Sequence, residues 1–231
     1  KLESPYEYMK YKILNAPINY YPYPHISIEN IFPQEFYDSL LENLPNIDEY
    51  TPKPKYPGKH TLTLENFDLL DNNKKFFWTQ INSWLKSDDF SNLLLNKFSI
   101  TKQGYSDFYL HKDLNDFEVK PHHDLLSKLV TYLFYLPKDS SLDQLGTEIL
   151  VPKPDVSIPD TTAHQNWEQF NIVRSAKYVP NSFFSFTPCI NSYHAVKIKF
   201  PENIKKKEHD TIRGFVFDKS ADDHPSYLFN K

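Results

Sequence analysis

Short runs of β-branched and aromatic residues, separated by Pro, Asp, Ser and Asn, dominate the second half of the chain. The strongest run, 129–136, is apolar or aromatic at every position except Thr131. Runs of this length between turn residues are typical of the strands of a sandwich or barrel. We therefore predict strands over 104–110, 129–136, 147–151, 182–187, 192–200 and 211–218.

In the first hundred positions, apolar residues recur mainly at helical spacing. A short strand is predicted at 25–32, after which Pro33 suits a helix start and Pro45 ends that helix. Two further helices are predicted near 73–86 and near 89–98. The positions expected to be buried are Phe36, Leu40, Leu41 and Leu44 in the first helix, Phe76, Phe77, Ile81 and Trp84 in the second, and Leu93, Leu94 and Leu95 in the third.

Two segments lack a regular pattern. Residues 50–60 are rich in Pro and Lys and are predicted to form a mobile loop. Residues 152–176 are predicted to form a longer loop, and such loops in compact domains are usually functional or disordered. The whole pattern predicts a mainly β (α+β) protein with flanking helices. Residues 1–100 would be helical support and residues 101–220 the β core, within a single domain over 1–231.

The composition is that of an ordinary globular protein. Hydrophobic residues make up 39% and charged residues 24% of the 231 positions, which argues against disorder. The formal net charge of -4 argues against nucleic-acid binding, which depends on neutralising phosphates. Cys189 is the lone cysteine, and no apolar run is long enough to cross a bilayer. We therefore expect a cytoplasmic protein with no membrane partner.

One short stretch carries most of the candidate chemistry. It is Pro121-His122-His123-Asp124, which lies shortly before the strongest apolar run. Residues two apart on an extended strand point the same way, so His122 and Asp124 are expected to face one metal ion while His123 points away. His194 is the candidate third ligand. Two histidines and one carboxylate form the facial triad of non-haem Fe(II) oxygenases, which leaves coordination positions open for chemistry.

A second His-X-Asp triplet, His111-Lys112-Asp113, competes with this assignment. It is followed by a turn-like sequence, whereas the triplet at 122–124 is followed by a strong predicted strand. We therefore prefer the later triplet and expect the earlier one to lie in a surface loop near the mouth of the site. His194 has an ordinary alternative role as a hydrogen-bonded histidine of the core.

The order of these features resembles the Fe(II)/2-oxoglutarate-dependent dioxygenase superfamily. The matching features are His-X-Asp, an apolar strand ending in Tyr-Leu-Pro at 135–137, Leu-Gly-Thr at 145–147, the distal His194, and Arg213 on the last strand. More narrowly, the pattern is similar to small microbial oxygenases of the prolyl-hydroxylase type over about residues 25–220. The resemblance implies a double-stranded β-helix, a jelly-roll or cupin-like sandwich, with the N-terminal helices packed on its larger sheet.

The resemblance also assigns roles to residues. It makes His122, Asp124 and His194 the ligands of Fe(II), with 2-oxoglutarate and O2 as cosubstrates. Four residues on strands beside the motif are candidates for hydrogen bonds to 2-oxoglutarate: Tyr105, Tyr109, Thr131 and Tyr135. The alternative for the three tyrosines is a purely structural role, because large rings in a β sandwich often fill the core.

Arg213 matches the basic residue that holds the far carboxylate of 2-oxoglutarate in this superfamily. A guanidinium suits that task because its fork binds a carboxylate bidentately. The gap from His194 to Arg213 is longer than usual, and residues 201–210 look like an insertion in the turn between two strands. Lys197 and Lys199 therefore stay as alternative carboxylate partners.

The function implied by the resemblance is hydroxylation of an unactivated C–H bond in a small molecule or a peptide side chain, with release of succinate and CO2. Related halogenases lack the carboxylate ligand, whereas Asp124 fills that position here. Desaturation and ring closure use the same ligands and stay open. Two other classes also stay open: a non-catalytic binding module that keeps the fold, and a cupin-like metal-dependent isomerase or epimerase. The sequence does not indicate the oligomeric state.

Overall fold

A computed structural model describes residues 4–159 and 161–221 of the chain. Its helices are α1 Pro5–Asn15, α2 Gln34–Glu42, α3 Asn72–Leu85 and α4 Asp88–Lys97. Its strands are β1 His25–Glu29, β2 Thr51–Pro52, β3 Lys59–Leu62, β4 Gly104–Asp113, β5 Glu118–His122, β6 Lys128–Tyr135, β7 Thr147–Pro152, β8 Phe170–Ala176, β9 Ser182–Phe186, β10 His194–Lys197 and β11 His209–Asp218. Within these ranges, no helix combines the length and the apolar character needed to cross a membrane.

The predicted helices α2, α3 and α4 are confirmed, and local capping explains where two of them begin. The Asp71 carboxylate accepts hydrogen bonds from the first free N–H groups of α3, and the Ser87 hydroxyl does the same for α4. The buried face predicted for α3 is wrong in part, because Trp78 is buried while Phe76 is 76% exposed. The two residues lie on nearly opposite sides of a helix with about 3.6 residues per turn.

The strands of the described ranges form two antiparallel sheets. The larger is seven-stranded, in the order β1-β9-β6-β11-β4-β3-β2, and the smaller is four-stranded, in the order β5-β10-β7-β8. The helices pack on the larger sheet, in one cluster with Val130 and Phe134 of β6. This architecture confirms the predicted two-sheet sandwich with helical support, although the sheets do not close into a barrel. That the chain is one domain stays a prediction.

The central strand β6 is buried on both faces. Val130, Tyr132 and Phe134 belong to the cluster under the helices, whereas Leu133 and Tyr135 belong to a second cluster that lies between the sheets. Burial of both faces explains why the sequence of β6 is almost continuously apolar. From Thr131 onward the same alternation turns the odd-numbered positions of β6, and those of β11 that pair with them, toward the small sheet. A register shift at the start of β6 instead puts Leu129 in the cluster under the helices.

Several strand boundaries differ from the prediction, mostly at sheet edges. The predicted mobile loop at 50–60 contains β2 and the start of β3, and the predicted loop at 152–176 contains β8. Strand β5 was not predicted because it is short and ends Pro121-His122. Proline lacks a backbone donor, and it is tolerated here because β5 is an edge strand.

Candidate metal centre

The small sheet brings the two candidate histidine ligands side by side. His122 ends β5 and His194 begins β10, and the two are direct partners in the antiparallel register. Their ring centroids lie 4.4 Å apart. Asp124 follows β5, with Oδ1 at 4.0 Å from His122 Nε2 and Oδ2 at 3.9 Å from His194 Nε2. The three ligand atoms lie within 4.8 Å of one another, the one such group of His, Cys, Asp or Glu among the described residues.

Both imidazoles are oriented by backbone carbonyls. The Nδ1 of His122 lies 2.9 Å from the Lys120 carbonyl oxygen, and the Nδ1 of His194 lies 2.9 Å from the Ser192 carbonyl oxygen. A carbonyl oxygen only accepts, so each Nδ1 carries the proton and donates it. Each Nε2 therefore keeps its lone pair for a metal ion, the arrangement that such outer contacts usually produce at metal sites.

The Asp124 carboxylate is anchored to the other sheet. Lys128 Nζ, at the start of β6, donates to Oδ1 at 2.6 Å, and the Thr131 hydroxyl donates to Oδ2 at 2.7 Å. The site thus takes its imidazoles from the small sheet and fixes its carboxylate on the large one. Thr131, predicted as a contact to 2-oxoglutarate, directs its hydroxyl proton at Asp124.

The electrostatics favour deprotonated ligands. Burial and the neighbouring His194 lower the pKa of His122 to about 3, and burial likewise lowers the pKa of His194. For Asp124, burial alone raises the pKa, but the charge and the hydrogen bond of the Lys128 ammonium outweigh this effect and hold the pKa below its usual range. Neutral imidazoles and an ionised carboxylate are the forms that bind a divalent metal.

Positive charge lines the interior on the large-sheet side. Arg213 lies opposite Tyr109 of β4 and Leu133 of β6. Its side chain is 16% exposed, and its Nη2 lies 3.9 Å from Asp113 Oδ2. Lys59 of β3, which pairs with Asp113, approaches the same space. Burial and the adjacent guanidinium of Arg213 lower the pKa of Lys59 to about 8.

The alternative carboxylate partners lie elsewhere. Lys197 is 62% exposed and lies 3.7 Å from Glu118 Oε1. It shares a face of β10 with Ala195, which belongs to a separate cluster with Leu150 and Tyr193. Lys199 is exposed. Neither lysine accompanies Arg213 in the interior between the sheets.

The predicted tyrosine contacts to 2-oxoglutarate fall into different environments. Tyr135 is buried between the sheets, and its hydroxyl donates to Thr147 Oγ1 at 2.7 Å. Tyr109 is half-buried and lies directly opposite Arg213. Tyr105 is also half-buried but lies further along β4, with its ring 5.5 Å from that of Phe217. The structure therefore brings Tyr109 to Arg213, and their roles stay predictions.

The prediction of a surface loop at 111–113 was wrong. His111 is 4% and Asp113 0% exposed, because β4 continues to Asp113 and pairs with β3 and β11 on both sides. Burial lowers the pKa of His111, so its imidazole is neutral. Lys112 is buried as well, with its ammonium 2.6 Å from Asp210 Oδ1. His111 and Asp113 are thus internal polar residues on the Arg213 side of the sheet, Lys112 points to its other face, and none of the three belongs to the metal cluster.

The long segment after β7 runs alongside the motif strand. The backbone N–H of Gln165 donates to the Pro121 carbonyl at 2.7 Å, and the Trp167 indole N–H donates to Glu118 at 2.7 Å. These contacts hold the exposed His164 ring 5.0 Å from that of His122. The sequence did not predict His164, Lys59 or Lys128 as part of this region. His164 lies in an irregular segment far from the motif in sequence, and Lys59 and Lys128 each begin a strand, where a lysine is usually exposed.

Solved structures with the same architecture have low sequence identity to this chain. A Pseudomonas putida prolyl-4-hydroxylase matches with a TM-score of 0.56 at 10% identity, covering 91% of this chain and 99% of that one. A 2OG-Fe(II) oxygenase family oxidoreductase from Burkholderia pseudomallei matches with a TM-score of 0.50 at 10% identity, covering 93% and 91%. The chain has the fold of the 2OG-Fe(II) oxygenases.

A further structure with this oxygenase fold is HygX from Streptomyces hygroscopicus, which has nickel and 2-oxoglutarate bound. It matches with a TM-score of 0.51 at 11% identity, covering 85% of this chain and 83% of that one. No protein-family model matches the sequence, and no match is found among curated proteins. The likeness to the oxygenases is one of fold.

Proposed function

We propose that this protein is an Fe(II)- and 2-oxoglutarate-dependent oxygenase that hydroxylates an unactivated C–H bond of a small molecule or a peptide side chain. The observation that carries the proposal is the convergence of the ligand atoms of His122, Asp124 and His194 within 4.8 Å of one another. A facial triad of this kind leaves the opposite side of the metal open to cosubstrate and oxygen.

The residues present fit a divalent metal. The two Nε2 lone pairs and the Asp124 carboxylate converge, and each imidazole is locked in the required tautomer by a carbonyl. Iron bound there, with 2-oxoglutarate and O2, would supply oxidation of the substrate C–H bond to C–OH as 2-oxoglutarate is converted to succinate and CO2. His122, Asp124 and His194 would hold the ion, and Thr131 would orient the carboxylate.

The interior cations fit a dicarboxylate cosubstrate. Arg213 has a guanidinium that is mostly shielded from water, and such a group binds a carboxylate strongly and with defined geometry. Lys59 approaches the same space from β3 and would add a second positive charge for the far carboxylate. HygX, which shares the fold, is described with nickel and 2-oxoglutarate bound, and this supports a divalent metal ion together with 2-oxoglutarate here.

The two other classes are less well supported. A binding module that has lost catalysis would not need a complete ligand set with both imidazoles held in the metal-binding tautomer. Cupin-like isomerases and epimerases tend to use more histidines and a Glu among their ligands, whereas the cluster here has two histidines and an Asp.

The proposal is tested by succinate formation from 2-oxoglutarate in the presence of Fe(II), O2 and a pool of small molecules and peptides. We expect Asp124→Ala to abolish this turnover, because Asp124 is the one negatively charged ligand among the three residues of the triad. The matched control is Asp139→Ala, which removes an exposed carboxylate that lies after β6. Products are identified by mass spectrometry as substrates that have gained one oxygen atom.

Turnover retained by metal-replete Asp124→Ala would remove Asp124 from the ligand set. A wild-type protein that binds divalent metal but forms no succinate with any pool would favour the non-catalytic module.

A further inference from the structure

The Asp124 carboxylate already has a cationic partner. Lys128 Nζ lies 2.6 Å from Oδ1, and the Thr131 hydroxyl lies 2.7 Å from Oδ2. Both contacts come from β6, and both side chains are buried. The candidate metal ligand that carries the negative charge is therefore neutralised by a lysine of this chain.

The ammonium of Lys128 has a second favourable contact. Its Nζ lies 3.9 Å from the centroid of the Phe215 ring on the neighbouring strand β11, within the range of a cation–π interaction. Its side chain is 9% exposed, and a buried ammonium without a counter-charge is strongly disfavoured. The Lys128 charge is thus held in place by Asp124 on one side and by an aromatic face on the other.

A divalent metal ion and the Lys128 ammonium would compete for the Asp124 carboxylate. The carboxylate carries one negative charge, which the ammonium balances, and the two imidazoles are neutral. A metal ion bound by His122, Asp124 and His194 would bring two positive charges to the same carboxylate. Like charges at such separations inside a protein repel strongly, because the effective dielectric constant there is well below that of water.

We propose that Lys128 is the resident counter-ion of Asp124: it stabilises the metal-free protein and weakens metal binding by competing for the carboxylate. The inference rests on the proposed metal site and names a positioning residue for it. When metal binds, the Phe215 face gives the ammonium a second partner, so the side chain does not have to leave the interior. A protein built this way folds without metal and binds its metal reversibly.

The test is a titration with Mn(II), without 2-oxoglutarate or O2, monitored by calorimetry or by electron paramagnetic resonance. We expect Lys128→Met to bind Mn(II) about tenfold or more tighter than wild type, since the competing charge is gone. We also expect its metal-free melting temperature to fall, because Asp124 is left as a buried charge without a counter-ion. Methionine has a similar length and packs well against the Phe215 ring.

Two further variants separate charge from packing. Lys128→Gln keeps a hydrogen-bond donor without the charge and also has to bind Mn(II) more tightly, which keeps the test decisive if Lys128→Met folds poorly. Thr131→Val removes the other hydrogen bond without altering charge and is expected to bind Mn(II) no more tightly than wild type. Tighter Mn(II) binding in the two lysine variants, without tighter binding in Thr131→Val, is the result that electrostatic competition predicts.

The inference is overturned if Mn(II) affinity in Lys128→Met and Lys128→Gln is unchanged or weaker than in wild type. That result would make Lys128 a simple support for Asp124 and would leave the proposed oxygenase function standing. Failure of wild type and of both lysine variants to bind Mn(II) would instead remove the metal site, and the inference with it.

Discussion

Arg213 and Lys197 are both cations that sequence reasoning associates with the far carboxylate of 2-oxoglutarate, but their surroundings differ. The Arg213 side chain is 16% exposed and faces the interior between the sheets. The Lys197 side chain is 62% exposed and faces the outside of the small sheet beside Glu118. Only a shielded cation keeps most of its attraction for an anion, since water and salt screen exposed pairs.

We expect Arg213→Met to raise the dissociation constant of 2-oxoglutarate by about tenfold or more, because a charge-assisted, bidentate contact is lost. Lys197→Met is the matched control and should leave the constant unchanged. The measurement is a calorimetric titration of Mn(II)-loaded protein under anaerobic conditions. Equal effects of the two substitutions would contradict the assignment of Arg213, and an effect of Lys197→Met alone would transfer the role to Lys197.

At the residue scale, the sequence predicted the candidate ligands but not their surroundings. A His-X-Asp triplet before a strongly apolar strand was enough to select His122 and Asp124 over the competing triplet. Lys128 could not be predicted, because a lysine at the start of a strand usually lies in solvent. Its burial depends on the fold of the loop after Asp124 and on the position of Phe215, and these contacts are distant in sequence.

The hairpin formed by β2 and β3 also depends on contacts that are distant in sequence, so it could not be predicted as an element. Its sequence is rich in Pro and Lys, and β2 has two residues and β3 four, too short for an alternating pattern to be visible. The hairpin exists because β3 pairs with β4 from Lys59 to Leu62. That pairing carries Lys59 toward the interior, with Nζ 6.0 Å from the ring centroid of the buried Phe117.

Because Lys59 has a lowered pKa, we expect 2-oxoglutarate binding to depend on pH. Burial is the main cause that lowers the pKa of Lys59 to about 8. Of the charged groups around it, Arg213 on β11, Lys128 on β6 and Lys53 next to β2 add to the lowering, and Asp113 on β4 opposes it. The ammonium form attracts a carboxylate, so this contribution is present below pH 8 and is lost as pH rises above it. A bound anion favours the charged form and shifts the loss to somewhat higher pH.

We therefore expect Lys59→Met to bind 2-oxoglutarate more weakly than wild type at pH 7 and to lose this part of the pH dependence between pH 7 and pH 9. Lys55→Met, which replaces an exposed lysine between β2 and β3, is the control variant. The monocarboxylate 2-oxovalerate is the control ligand, because it lacks the far carboxylate. Identical pH profiles in wild type and Lys59→Met would exclude Lys59 from the cosubstrate site.

At the scale of the whole molecule, the two-sheet architecture with helices on one side could be predicted, because the central strands are buried and strongly apolar. Strands β5 and β8 were missed. Both are edge strands of the small sheet, and β8 is largely exposed between its ends, so neither carries a clear apolar signal. They form because β10 and β7 offer free backbone partners, a condition that local sequence does not contain.

The fold also encloses several histidines whose imidazoles are neutral. Burial lowers the pKa values of His25, His111 and His194, and it lowers that of His122 to about 3. In the unfolded chain these groups titrate near pH 6.5. Below that pH the unfolded state binds more protons than the folded state, so the free energy of unfolding falls as the solution becomes more acidic.

We expect the free energy of unfolding of the metal-free protein to decrease between pH 7 and pH 5, with each such histidine contributing up to about 1.4 kcal/mol per pH unit. His25→Phe should make the decrease shallower, because a phenyl ring takes up no proton. The substitution keeps an aromatic ring beside those of Phe184 and Tyr23, whose centroids lie 5.9 Å and 5.8 Å from that of His25. Urea unfolding followed by tryptophan fluorescence at several pH values measures both slopes. A free energy of unfolding that stays flat from pH 7 to pH 5 would show that these histidines are not held neutral by the fold.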